Sequence, residues 1–421
     1  MNSIPRLKLP INLTALRSRN YRLFFIGQSL SMIGTFMTQV AIAWLIYQLT
    51  GSAFLLGLAS FLGQLPTFVL APLSGVLADR WNRYHLLIWV QVIGMVLSFI
   101  LTILYELNQL NVILLITLST LSGLLRGLDV PVRQSFVIDM LESRADLTNA
   151  IALNASLING ARLIGPAIAG LLIATVGAGS CFLIDTVSYV IVTFMLLMMT
   201  LQPKPPLTTS NHFWKPLKEG FDYVRRSLPI RSILLLLAVM SLMGMPYLTL
   251  LPVFAVEVFQ GDATTLGFLT AASGLGAFAA GVYLSTRTSI LGLGWLIAWS
   301  PMVLGISLIA FARCQIFALS LPLMAIAGFS TILQAASSNT LIQSIVDDNK
   351  RGRVMSFYAM CFMGMLPFGS LYAGILANQI GAANTVALGG VVCIVGSLMF
   401  IKQLPQFWQV LRPLYGDRPS R

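Results

Sequence analysis

The chain has 421 residues, 57% of them hydrophobic and 10% charged, with a net charge of +12 and a mean hydropathy of +0.84. Soluble globular chains carry about 25% charged residues, so this composition excludes a soluble domain and indicates a multi-pass membrane protein. Whether the basic surplus serves nucleic acid or membrane topology depends on where it falls along the chain.

Residues 1–21 are polar and basic, and the apolar run that follows, to about 48, is too long for a cleaved leader; it reads as a retained first helix. Further runs long enough to cross a bilayer fall at about 53–78, 86–105, 111–138, 147–176 and 180–200. Six more follow at about 230–256, 264–286, 290–312, 316–346, 353–378 and 383–402. The expected fold is all-α: twelve transmembrane helices in two pseudo-symmetric six-helix bundles, 22–200 and 230–404. Between them, 201–229 carries Pro203, Pro205, Pro206 and Pro216 among charges, which predicts a linker rather than a folded domain. The tails are 1–21 and 405–421.

With the N-terminus inside, 23 of 26 basic residues fall on the cytoplasmic side, Arg126 and Arg162 fall within helices, and Arg313 faces outward. That bias fixes an orientation with both termini and the linker in the cytoplasm. It does not gather on one domain as a nucleic-acid patch would. Cys181, Cys314, Cys361 and Cys393 sit in or beside apolar runs with no two closer than 32 residues, and His85 lies 127 residues from His212. No disulfide framework, metal site or cofactor is expected.

The halves repeat. Gly170-Leu-Leu-Ile-Ala-Thr-Val-Gly-Ala-Gly-Ser180 aligns with Gly374-Ile-Leu-Ala-Asn-Gln-Ile-Gly-Ala-Ala-Asn384 at an offset of 204, and Gly75-Val76 with Gly281-Val282 at 206. A six-helix unit duplicated in the same topology is one of the carrier architectures.

Intramembrane charge marks function by default, and here it is confined to the first half: Arg126 and Asp129 in the fourth run, Arg162 in the fifth, Asp185 in the sixth. Arg126, Asp129 and Arg133 share one helical face at i, i+3, i+7. They either fix packing as a buried ion pair or exchange a proton at Asp129 and bind an anion at Arg126. Asp129 is the better-placed exchanger, because an arginine stands on either side of it; Asp185, nearer the outer end of its run, could serve as a proton exit. In the fifth run, Ala161, Gly165, Pro166 and Gly170 form a small-residue stripe. Pro166 frees the carbonyl of Arg162, permitting a bend. Gln28, Ser31, Thr35, Thr38 and Gln39 form a polar stripe in the first run, which must face protein or water. Asn154, Gln334, Ser338 and the methionines Met240, Met243, Met245, Met360, Met363 and Met365 complete the candidates for a cargo site.

In the gap after the second run, Gly75-Val-Leu-Ala-Asp79-Arg80-Trp-Asn-Arg83 resembles the loop signature of the major facilitator superfamily. There, that string latches the two halves of a carrier. Pro131-Val-Arg-Gln-Ser-Phe136, Asn149-Ala-Ile-Ala-Leu-Asn154, Ala161-Arg-Leu-Ile-Gly165-Pro166, Gly352-Arg-Val-Met-Ser356 and Pro367-Phe-Gly369 resemble the drug-export branch of that superfamily, which includes macrolide and enterobactin exporters. The similarity covers about 15–403. It implies a bacterial inner-membrane secondary exporter of a small amphipathic compound, driven by protons, working as a monomer in the bilayer. It also implies a gating role for Gly165 and Pro166. Two features depart from the family: Tyr84 and His85 follow Arg83 where more basic residues are usual, and Asp185 stands in place of a neutral amide.

No phosphate-binding loop, His-Glu-x-x-His or Gly-x-Ser-x-Gly is present, so an enzyme is not expected. A lysophospholipid flippase or uptake symporter of the same fold, and a non-transporting sensor, are the rival readings.

Overall fold

In lipid a chain must satisfy its backbone amides internally, and a long apolar run does so as a helix. The computed structural model describes residues 13–80, 82–200, 214–287, 289, 292–347 and 350–415; the side chains of 71–80, 214–219 and 406–415 are outside that description. Among the described residues twelve helices are long and apolar enough to cross a membrane. The first six are α1 Arg19–Thr50, α2 Ala53–Arg80, α3 Arg83–Glu106, α4 Val112–Met140, α5 Leu147–Thr175 and α6 Gly179–Leu197. The second six are α7 Leu228–Val258, α8 Ala263–Ser285, α9 Leu293–Arg313, α10 Phe317–Ile345, α11 Arg351–Ile380 and α12 Ala382–Tyr415.

Local chemistry sets the ends. Asn82 caps α3 by accepting from the amide of Tyr84, Asn111 caps α4 through Leu114, and Asp262 caps α8 through Thr264 and Thr265. Gly51, at φ 59°, closes α1 in a left-handed turn. α7 and α11 are interrupted by π turns at Met240–Gly244, Phe254–Val258 and Met360–Gly364. The Ser241 hydroxyl of the first donates to the Phe362 carbonyl of the third.

Helix pairs recur in the two halves: α2 on α4 and α3 on α6 in the first, α8 on α10 and α9 on α12 in the second. The halves meet where α5 packs on α8 and α2 on α11. One large apolar core spans both halves and includes Leu45, Leu56, Phe254 and Leu266, toward the ends of their helices opposite the termini. Toward the terminal ends the core divides. One cluster, with Tyr21, Phe136 and Leu196, is built from the first half alone; another, with Ile233, Ile297 and Phe400, from the second alone. Among the described residues the buried core is therefore continuous between the halves on the side away from the termini and divided on the terminal side.

The segment expected to be a plain linker contains the helix Trp214–Arg226. It docks on the second half: the Phe221 and Phe357 rings lie 6.2 Å apart, and Gly220 lies against Arg353 and Phe357. Lys350 stacks 4.5 Å from the Tyr223 ring. Prolines up to 216 stop the sixth run from continuing, and Phe221 and Tyr223 after them give the new helix its contacts with the second half.

Candidate transport site

Asp185 lies in α6 and is 3% exposed. Its Oδ2 accepts from the hydroxyls of Thr38 in α1, at 3.0 Å, and Ser98 in α3, at 3.2 Å. Its Oδ1 has no partner within the protein. α1 approaches so closely because residue 34 is glycine: a Cβ there would stand 2.8 Å from Asp185 Oδ1 and 2.9 Å from its Cα. The carboxylate is thus held in a three-helix junction with one oxygen still free to take a proton or a new donor.

Arg126 stands midway along α4. It does not pair with Asp129, although the spacing placed them on one face. Its Nη2 instead donates to the Gly63 carbonyl of α2 at 3.2 Å. The reason is the crossing of α2 and α4, where a Cβ on Gly123 would lie 2.1 Å from that same carbonyl oxygen. Backbones this close bring an acceptor within reach of the guanidinium. Arg126 also lies within electrostatic reach of Asp185 and Tyr189, with no direct ion pair to either. Asp129 is fully engaged: Arg133 bonds it at 3.0 Å and the Gln91 amide at 3.1 Å. The expected plus–minus–plus triad therefore resolves into a pair, Asp129–Arg133, and a separate arginine bonded to the Gly63 carbonyl.

Arg162 stands midway along α5. Its guanidinium carbon lies 5.9 Å from the centroid of the Phe36 ring in α1. The carbonyl that Pro166 leaves without its helical amide is covered by α8, where a Cβ on Gly274 would lie 2.8 Å from the Arg162 oxygen. Gly165 abuts α1, with Phe36 Cβ at 2.8 Å from the same kind of virtual Cβ, and Gly170 meets Gly267 of α8. The stripe divides its work: Gly165 contacts its own half, and Gly170 the other.

The polar stripe of α1 divides too. Gln28, Ser31 and Thr38 are buried and Gln39 is exposed. Thr38 is used up on Asp185, so the stripe is not one cavity-lining face. Asn154 accepts from the Tyr21 hydroxyl at 3.3 Å, pinning α5 to the start of α1. Gln334 in α10 is 0% exposed, and neither of its amide atoms has a protein partner. Gly75, Asp79 and Arg80 lie outside the described side chains; Arg83 reaches Asp139 of α4 at 3.8 Å. No metal-binding group occurs among the described residues. Gln91 and Ser98, both essential to these junctions, were not singled out from sequence. Their signal was available: two polar residues seven apart in an apolar run, on one face of α3.

Two six-helix halves repeated in the same topology, closed at one end and carrying charge at mid-depth, define a membrane transporter of the major facilitator fold. The model of the transmembrane secretion effector family, part of that superfamily's drug- and siderophore-export branch, matches residues 11–411, and the chain belongs to that family. The chain is 27% identical over 384 residues to a staphyloferrin A transporter of Staphylococcus aureus, covering 90% of this chain and 96% of that one. It is 25% identical over 378 residues to macrolide efflux protein A of Streptococcus pyogenes, covering 87% and 92%. The crystal structure of the nucleoside transporter NupG superposes with a TM-score of 0.71 at 14% identity, covering 92% of this chain and 99% of that one. The protein is a transporter and not an enzyme.

Proposed function

We propose that this protein is a proton-driven exporter of a small amphipathic compound, working as a monomer by alternating access. In this reading it lies in the bacterial inner membrane with both termini cytoplasmic. The divided core on the terminal side then corresponds to an inward-open state, ready to load cargo from the cytoplasm. The observation that carries the coupling is Asp185: a buried carboxylate with one free oxygen, within electrostatic reach of Arg126. Protonation would cancel the attraction between them and release Arg126 to other partners, which supplies a two-state element. Asp129 is the weaker coupling site, because its charge is already neutralised by Arg133. The relatives' names, for a siderophore and for macrolides, support export of a small organic cargo.

The test is uptake into everted membrane vesicles from an efflux-deficient host, using a panel of antibiotics, dyes and siderophore-like chelators. Accumulation should require the protein and collapse with a protonophore. Accumulation unaffected by the protonophore would remove proton coupling, and a requirement for an outward-to-inward gradient would reverse the direction.

A further inference from the structure

The charges at mid-depth do not balance. Arg133 is neutralised by Asp129, and Arg126 is bonded to the Gly63 carbonyl within electrostatic reach of Asp185. Arg162 has no carboxylate and no hydrogen-bond acceptor for its guanidinium among the described residues, and the guanidinium lies over the face of Phe36. The second half supplies no acid at this depth, since Glu257 lies at the end of α7 away from the termini and Asp262 caps α8. Tyr247 of α7 lies within electrostatic reach of Arg162, but its hydroxyl is bonded to Ser273 of α8 at 2.7 Å. Arg162 is therefore a half-buried cation with no opposite charge among the described residues, beside Phe36 of the first half and within electrostatic reach of Tyr247 of the second.

A cation at membrane depth is costly unless it meets an opposite charge. A ring face attracts it without neutralising it. The planar fork of arginine matches a carboxylate in two parallel hydrogen bonds. We infer that Arg162 is the receptor for an anionic group on the cargo, a carboxylate, with Phe36 beside an aromatic or apolar body attached to it. This rests on the transport reading of the same seam and narrows it to acidic cargo. A purely structural arginine would not need the free fork: the contact that joins α5 to α8 here uses its backbone carbonyl and survives substitution of the side chain.

The test uses the purified full-length protein in detergent and three matched probes: naphthaleneacetate, its neutral primary amide, and naphthylethylamine. Thermal unfolding should shift upward with the acid, saturably, at concentrations at least ten times lower than for the amide or the amine. Arg162→Gln should erase that preference, and Arg162→Lys, which keeps the charge, should retain part of it. Each variant is first checked for a wild-type gel-filtration profile. Equal response to all three probes, preference for the amine, no response to the acid, or a wild-type response in Arg162→Gln each overturns the inference. Proton-dependent uptake of cationic dyes by vesicles that ignore the carboxylate would sink acidic cargo and leave the exporter standing.

Discussion

Gly170 of α5 and Gly267 of α8 meet so closely that a Cβ on the first would lie 2.9 Å from the Cα of the second, and one on the second 2.8 Å from the Cα of the first. The same contact recurs between Gly374 of α11 and Gly57 of α2, at 2.8 Å both ways. Each glycine also faces the carbonyl four residues before its partner: Ala263, Pro166, Ala53 and Ser370 in turn. Gly170 and Gly374 are the repeat mates found in the sequence at an offset of 204. Gly57 and Gly267 are each the fifth residue of their helix. The duplication therefore produces a symmetric pair of glycine crossings, both on the side away from the termini, that let the halves close backbone to backbone.

These crossings predict an asymmetric effect of added bulk. Gly57→Val or Gly267→Val inserts a branched side chain where the opposing backbone cannot yield, and overpacking of this kind costs about 1–3 kcal/mol. The cost falls only on the state closed at that end, so the variants should shift toward the opposite state. Spin-label distances between the ends of α2 and α11 away from the termini should lengthen, and transport should fall without loss of expression. Unchanged distances would show that the crossings do not form the gate.

Asp185→Asn keeps the size of the side chain and its ability to accept from Thr38 and Ser98, and removes the charge within electrostatic reach of Arg126. Uphill export should be abolished while exchange down a cargo gradient continues. Asp129→Asn should behave differently, because it strips Arg133 of its partner. Breaking a largely buried pair costs about 3 kcal/mol, so this variant should lose thermal stability before it loses coupling. Normal protonophore-sensitive uptake by Asp185→Asn would return the coupling role to Asp129.

The sequence carried the architecture because membrane helices announce themselves by length and apolarity, and each of the twelve expected runs has its helix. It carried the charged residues for the same reason, since each interrupts an otherwise apolar run. What it did not carry was who pairs with whom. Arg126 and Asp129 share a face of α4, but the partner of Arg126 is decided by how closely α2 crosses at Gly63 and Gly123. Thr38 and Ser98 converge on Asp185 from helices far apart in the chain, and helical spacing within one run is silent about that. The π turns escaped notice although Met240-Ser-Leu-Met-Gly-Met245 and Met360-Cys-Phe-Met-Gly-Met365 repeat the same pattern.

Gln334 offers a test that separates a packing role from a binding one. A buried amide with no protein partner costs about 1–3 kcal/mol relative to a satisfied or apolar side chain. Gln334→Leu should therefore raise the melting temperature of the cargo-free protein. If Gln334 serves cargo, the same variant should transport poorly despite its stability. A stabilised variant with full transport would assign Gln334 no part in cargo recognition.

A hydrogen bond also joins α1 to α7 on the side away from the termini. The Tyr47 hydroxyl donates to Glu257 Oε1 at 2.5 Å, joining the two halves at the ends of α1 and α7 away from the termini. A hydrogen bond to a charged group contributes about 1.5–3 kcal/mol, and partial exposure of this pair puts it at the lower end. Tyr47→Phe removes the bond with little change in shape, so the closed side should lose roughly 1.5 kcal/mol, a shift of about tenfold in population toward opening. Glu257→Gln keeps an acceptor for the hydroxyl and should weaken the closure less. Cysteines placed at exposed positions beside the seam, read by a membrane-impermeant maleimide, should label faster in Tyr47→Phe than in Glu257→Gln, and faster in both than in the parent. Equal labelling in all three would mean that the bond forms without contributing to closure, leaving the glycine crossings to hold that side alone.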